Sequence, residues 1–433
     1  MTDMTLDSPA VGAAPLAGIH MTEAAKKRLA ARYAAERRFK AYGIAAIAFA
    51  LLSLAVLLYT ILGNGLTAFQ QTYVRLDVTL TAEVLDPSGK RDMDELRRAD
   101  YATVVRQALA ERFPDVKGRL EQRKLAAIMS TGAEIDLRDL VLREPAAIGQ
   151  KRSLWLLAAS DVDMFVKGYI NREGPEDGRR LNDQQLSWID SLKADNAIER
   201  RFNTRFLTGA DSREPELVGV WGGIVGSFLT LLVTLFVALP LGVMAAIYLE
   251  EFAPKNRLSE IIEVNINNLA AVPSIVYGLL GLAVFMNFLG LPRSAPIVGG
   301  LVLALMSLPV VIIAGRASIR AVPPSIREAA LGLGASKMQT VLHHVLPLAM
   351  PGILTGTIIA MAHALGETAP LLMIGMVAFV VDVPTGPLQA ATVLPVQIFM
   401  WADSAERGFV EKTSAAIIVL LVFLLMMNAI AIF

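Results

Sequence analysis

Two ionisable residues sit four apart inside an apolar run, His363 and Glu367 in "IIAMAHALGETAPLLMIG". A charged side chain in hydrocarbon costs about 2.5–3.5 kcal/mol on insertion scales, so it belongs to a pathway, a partner or a compensating pair. At this spacing the two share one face of a helix. They either pair with each other or line a route, and the sequence leaves both readings open. Polar side chains also interrupt neighbouring apolar runs: Asn265, Asn267, Asn268, Ser274, Tyr277 and Thr368. Hydroxyls, amides and a protonated His can donate hydrogen bonds to a polar solute, and a carboxylate can accept them. For the three Asn residues, hydrogen bonds between helices are the competing reading. Pro273 and Pro370 each remove a backbone donor and loosen a helix. Gly278, Gly281 and Gly366 allow close helix contact.

A second stretch, "REAALGLGASKMQTVLHHVLPLAMPGI" at 327–353, carries Arg327, Glu328, Lys337, Gln339, His343 and His344 between two apolar runs. It is too charged for hydrocarbon and too apolar for an ordinary loop. Pro323 and Pro324 stop the preceding run, and Ser325 can cap a new helix. That helix is expected to reach Gly334, where a positive φ turns the chain. "SKMQTVLHHVL" then forms a second short helix, expected to end near Pro347. The result is a helix–turn–helix lying across a membrane surface. Glu328 offers an exposed carboxylate and Ala329, Ala330, Leu331 and Leu333 give close-packing contacts, a surface suited to a groove on another protein.

The composition points to an integral membrane protein. The chain has 433 residues, 54% of them apolar, and a positive mean hydropathy. Its net charge is zero, which removes the electrostatic case for nucleic acid. No Cys is present, so disulfides, thiolate metal sites and Cys nucleophiles are excluded. The four His residues lack metal-ligand spacing, and no metal site is expected. Charge is unevenly spread: of 40 basic and 40 acidic residues, 50 lie between Tyr73 and Glu216. A soluble insert is thus joined to a membrane part.

Residues 1–20 show no periodicity and read as disordered. Thr22 can cap a helix rich in Lys26, Lys27, Arg28, Arg32, Arg37, Arg38 and Lys40. The uncharged run Ala41 to Gly63 follows, long enough to span a bilayer core of roughly 20 residues. The basic leader places the N-terminus in the cytoplasm and the next segment outside. That segment opens with the alternating "TYVRLDVTL", a half-buried strand. Gly174, Pro175 and Gly178 mark a loop within it. Five further apolar runs cover about 218–249, 262–288, 295–315, 350–378 and 412–433, making six spans. The basic loop with Arg316, Arg320 and Arg327 then falls in the cytoplasm. No basic tail follows the last run, which suggests a final helix cut short at Phe433. The expected organisation is a cytoplasmic tail with a basic helix (1–40), a first span (41–64), an extracytoplasmic α/β domain (65–215) and a five-helix membrane domain (216–433), with the amphipathic loop at 323–347.

The pattern "EAALGLG" followed by "VLPLAMPG" resembles the coupling loop of ABC importer permeases. Its fixed positions fall on Glu328, Ala329, Ala330, Gly334, Leu346 and Pro347, with His344 where the family has an aliphatic residue. "AAVPSIVYGLLGL" (Ala270–Leu282) and "ALGETAPLL" (Ala364–Leu372) resemble the PstA-type permease of phosphate importers, over about 218–433 and more weakly in the first span. The insert resembles the extra N-terminal domain of some bacterial members.

The resemblance implies an all-α polytopic membrane protein of six helices with the type I permease fold and an inserted soluble α/β domain, set in the bacterial inner membrane. It implies a non-catalytic subunit of an ATP-driven phosphate importer, with Glu367, His363, Thr368, Ser274 and Tyr277 along the translocation path. The implied partners are a sister permease of PstC type, a cytoplasmic ATPase dimer of PstB type that binds ATP and Mg, and a periplasmic phosphate-binding protein of PstS type. The chain has no G-x-x-x-x-G-K-[ST] loop, and "PSGKR" at 87–91 lacks its spacing, so no cofactor is expected in this chain. Family members often carry Arg where this chain has His363 and Ile313. Arg is the strong bidentate phosphate group, which shifts direct anion binding toward the sister subunit. A permease for another oxyanion or small solute is the nearest alternative. A membrane sensor, which would need a cytoplasmic output domain, is a second.

Overall fold

The computed structural model describes residues 23–173, 176, 179–377 and 379–432. The expectations for residues 1–20, Thr22, Gly174, Pro175, Gly178 and Phe433 lie outside these. The described residues up to Thr60 and those from Ile61 onward form two compact units.

The basic leader and first apolar run are one helix, α1 (Glu23–Gly65), rather than two segments meeting at residue 40. Nothing between them breaks a helix: the junction "FKAYGIAA" carries a single Gly, and Glu36 pairs with Lys40 one turn on at 2.8 Å.

The chain then enters a three-stranded antiparallel sheet in the order β2-β1-β3, made of β1 (Gln70–Thr79), β2 (Lys151–Leu157) and β3 (Ile198–Phe202). The alternation seen in "TYVRLDVTL" is real: Val74, Leu76 and Val78 are buried while Arg75 and Asp77 are exposed. Between β1 and β2 lie α2 (Ala82–Leu85), α3 (Met93–Arg98), α4 (Tyr101–Arg112), α5 (Arg119–Ala126) and α6 (Thr131–Arg143). Asp100 caps α4 by accepting from Thr103 N at 3.0 Å, and Ser130 caps α6. These caps orient Val104, Leu109, Leu137 and Val141 into one core with the inner face of the sheet. Full burial of each such side chain is worth about 1.5–3 kcal/mol. On the other face Arg201 stacks on Trp155, 4.5 Å from the ring centre, with Arg75 over the same ring. After β2 come α7 (Ser160–Val166), α8 (Asp183–Ala194) behind an Asn182–Gln185 capping box, and, past β3, the single turn α9 (Thr204–Thr208).

The membrane part comprises α10 (Trp221–Ile247), α11 (Arg257–Ala270), α12 (Ser274–Leu280), α13 (Pro296–Ala321), α14 (Pro324–Gly332), α15 (Lys337–Thr340), α16 (Leu346–Gly366), α17 (Ala369–Met373), α18 (Leu394–Ala402) and α19 (Arg407–Ile432). Among the described residues, five helices are long and apolar enough to cross a membrane, or six if the bent pair α11–α12 is one span. Helices α10, α13 and α16 pack through small residues. A Cβ on Gly300 would fall 2.5 Å from Val233 Cβ, and one on Gly356 would fall 2.2 Å from Ala314 Cβ.

Several elements differ from the sequence expectation. The run 262–288 is no straight span: it bends by 102° between α11 and α12, at Pro273, and continues as a π-helix to Phe288. Pro273 caps α12, as a residue without a donor can. The run 350–378 splits at Glu367 and Thr368, between α16 and α17. The second loop helix does not end at Pro347. From Lys337 it passes through a π-helical turn (Val341–Val345) straight into α16, where Pro347 occupies the first turn and its missing donor costs little. Ser325 is not the cap of α14; Pro323 is, with Pro324 in the first turn.

Candidate functional site

The loop at 323–347 is built as two short helices joined by a glycine turn. Helix α14 ends at Gly332, and Gly334 has φ +88°, the left-handed conformation expected there. Ser336 and Gln339 form a capping box that starts α15. Of the family-pattern residues, Glu328 and Ala329 are exposed, Ala330 is buried, Leu346 is half-buried and Pro347 is exposed. Leu333 is 90% exposed, and Leu331, Met338 and Leu342 are exposed beside it. An apolar tip is therefore held out from the bundle.

What holds it is an ion-pair lattice. Arg327 donates to Glu251 at 2.7 and 2.9 Å and to the carbonyls of Val322 and Ile319 at 2.7 and 2.8 Å. Arg320 makes a two-pronged bond to Glu250 at 2.9 and 3.0 Å. Arg316 bridges Glu250 and Glu263. Lys337 lies 5.0 Å from the centre of the Phe252 ring. Arg316 and Arg320 of α13 and Arg327 of α14 thus spend their charge on the segment after α10 and on α11. Arg327, with four hydrogen bonds, fixes α14 to both the end of α13 and the segment after α10.

The second site lies where two broken helices meet. A Cβ on Gly278 of α12 would fall 2.8 Å from both Cα and O of Pro370 in α17, so the PSIVYG and GETAPLL stretches pack backbone to backbone. Any larger residue at 278 would push them apart. Tyr277 is buried, and its hydroxyl donates to Leu269 O at 2.7 Å, bridging the two legs of the α11–α12 bend. Ser274 opens α12, and Thr368 precedes α17. Glu367 ends α16 in an extended conformation, and its carboxylate lies 3.2 Å from Nε2 of His363. The His363 side chain is 65% exposed against 19% for Glu367. Asn265, Asn267 and Asn268 are exposed on α11, where Asn265 donates to Ile261 O one turn back at 2.8 Å. Ile313 is 42% exposed on α13.

Sequence reasoning missed a third constellation, where the insert meets α19. Lys167, just past α7, lies 2.7 Å from Asp163 and 2.9 Å from Glu411, with all three side chains almost fully buried. Asp163 also accepts from the backbone and hydroxyl of Thr72 at 2.9 and 2.6 Å. Next to Glu411, Lys412 donates to Ala68 O and Gln71 Oε1, both at 3.3 Å. Asn203 shares those same two acceptors at 3.2 Å. The ring of Phe206 covers the ammonium of Lys412 at 5.4 Å. Chain entry to the insert, chain exit and the start of the last helix therefore converge on four buried charges of zero net sum. The signal was present as "EKT" at the head of an apolar run, but nothing local names its partners. In the linker beside it, burial pushes the Glu216 and Asp211 carboxyls above the ordinary range, so their ionisation disfavours the folded linker as pH rises.

Bundle, broken spans and soluble insert together define a polytopic helical membrane subunit. Residues 238–433 match the family model described as binding-protein-dependent transport system inner membrane component, and residues 26–176 match one described as a domain of unknown function, DUF3333. The phosphate transport system permease protein PstA of Yersinia pestis is 33% identical over 214 residues, 49% of this chain and 71% of that protein. PstA 1 of Mycobacterium tuberculosis is 35% identical over 205 residues, 47% of this chain and 66% of that one. The probable ABC transporter permease YqgI of Bacillus subtilis is 37% identical over 169 residues, 39% of this chain and 57% of its own length. The chain thus spans between about half and two thirds of the length of these last two relatives. Among solved structures, the inward-facing MetNI methionine ABC transporter aligns with a TM-score of 0.37 and 16% identity, over 49% of this chain and 91% of that one. The chain belongs to the binding-protein-dependent transport system inner membrane components, and within them to the PstA type.

Proposed function

We propose that this chain is the membrane-spanning permease subunit of an ATP-driven phosphate importer. It forms the translocation path with a sister permease and takes its power stroke from a separate cytoplasmic ATPase that binds ATP and Mg, while a phosphate-binding protein delivers the anion from outside. The observation that carries the reading is the 33% identity to a PstA permease over 214 residues, together with the family match at 238–433, which includes both stretches that pack at Gly278 and Pro370. The loop at 323–347 serves as the coupling element. An exposed apolar tip beside the exposed Glu328 suits a groove on a partner. Arg327 makes α14 rigid with α13, so a push on the tip is transmitted to the spans rather than absorbed in the loop. His363 and Glu367 lie 3.2 Å apart at the exit of α16, where the two together can accept from and orient a protonated oxyanion. With His363 and Ile313 in place of Arg, the sister subunit supplies most of the positive charge.

In this arrangement the N-terminus and the 323–347 loop face the cytoplasm and the insert faces the periplasm. The test is copurification from native membranes. The intact chain is expected to bring down an ATPase and a second permease. Gly334→Val forces a β-branched residue into left-handed backbone, at about 1–2 kcal/mol, and is expected to lose the ATPase while the chain stays in the membrane at normal level. Retention of the ATPase by the variant would remove the coupling role.

A further inference from the structure

The insert contains a groove of about 600 Å³ between α4 and α5 whose lining has a one-sided chemistry. Arg106 on α4 and Arg119 and Arg123 on α5 face it, together with the amides Gln107 and Gln122. None of its lining residues is acidic. Arg106 is partly satisfied at the rim, bonded to Thr103 Oγ1 at 2.7 Å and 3.6 Å from Asp100. Arg119 and Arg123 are different: among the described residues neither makes an ion pair, although most arginines of the insert do. They lie one turn apart on α5, and like charges at that spacing cost a helix about 0.2–0.5 kcal/mol. The acidic residue of the same helix, Glu121, does not relieve them, because its carboxylate folds back beside Gly118 at the helix start. The accessible apolar lining comes from Ala110 and Ala126, above the buried Leu109 and Leu125. Guanidinium forks suit phosphate oxygens, and a few convergent polar groups over an apolar floor in a cleft of this size is the usual form of a small-molecule site.

We propose that this groove binds a small organic phosphomonoester, its dianionic head held by Arg119, Arg123 and Arg106 and its carbon stem resting on Ala110 and Ala126. The site is independent of what the spans carry, so its failure leaves the permease reading intact. The test uses the full chain in nanodiscs of phosphatidylcholine, titrated calorimetrically with hexyl phosphate, inorganic phosphate and hexanoate. Hexyl phosphate is expected to bind at least about tenfold more tightly than either of the others. Arg119→Gln with Arg123→Gln is expected to weaken it by at least about tenfold, with melting temperature and phosphate uptake unchanged. Discs containing phosphatidic acid separate the sources. Competition by the lipid assigns the same chemistry to a membrane headgroup, and its absence assigns it to a soluble ligand. Equal affinity for inorganic phosphate or hexanoate would overturn the proposal. So would an affinity for hexyl phosphate that the double variant leaves unchanged, or no saturable binding below about 10 mM.

Discussion

Glu367 shows how much one residue can reveal and conceal. Its spacing from His363 suggested a pair, and the carboxylate lies 3.2 Å from the His363 Nε2. The spacing also suggested a shared helix face, yet Glu367 is already outside α16, at the break before α17. Hydropathy runs on through the break and gives no sign of it. Gly334 was legible because a single turn between two helices is a local matter, and only Gly adopts φ +88° there without strain. Arg327 was not, because its carboxylate partner Glu251 is 76 residues away. The role of Glu367 is open to direct measurement. If it lines the anion route, Glu367→Gln cuts phosphate uptake at least about tenfold while assembly and basal ATPase activity survive, and His363→Gln does not restore it. If it serves only to pair with His363, the double variant recovers most of the loss, because neither partner is left alone.

At the scale of elements, the amphipathic loop and four of the six apolar runs could be read from sequence because period and composition are local properties. The bend at Pro273 was half legible: proline marks a loosened helix but not whether the chain bends or only loosens. The π-turn that carries α15 into α16 was hidden, since proline at 347 signals a stop equally well. The join between insert and α19 was hidden for a simpler reason, with Lys167 and Glu411 separated by 244 residues. That join makes a quantitative prediction. Lys167→Met leaves Asp163 and Glu411 buried without their shared cation, and removing one partner from a buried ion pair costs about 3–5 kcal/mol. The thermal transition of the insert in nanodiscs is expected to fall accordingly. Adding Glu411→Gln to Lys167→Met removes one stranded charge and should regain part of that loss. A melting temperature unmoved by Lys167→Met would mean that water reaches the cluster and that the insert is only loosely seated on α19.

The whole molecule joins a sheet-and-helix insert to a bundle whose broken helices are its least regular parts. The proposed orientation, with the Lys and Arg residues of α1 and of the α13–α14 junction in the cytoplasm, can be checked cheaply because the chain has no native Cys. Leu120 and Leu333 are both well exposed, one on the insert and one on the loop tip. Leu120→Cys should be labelled by an impermeant thiol reagent on intact cells, and Leu333→Cys only after permeabilisation. The opposite pattern would invert the topology. In the proposed function, this chain helps carry phosphate across the membrane under the control of an ATPase docked on the 323–347 loop. That function is tested most directly by uptake of radiolabelled phosphate into phosphate-starved cells lacking the gene, complemented with the intact chain or with Gly334→Val. The account predicts that the intact chain restores energy-dependent uptake and that the variant, present in the membrane at the same level, does not. Uptake that is the same with and without the chain would contradict it.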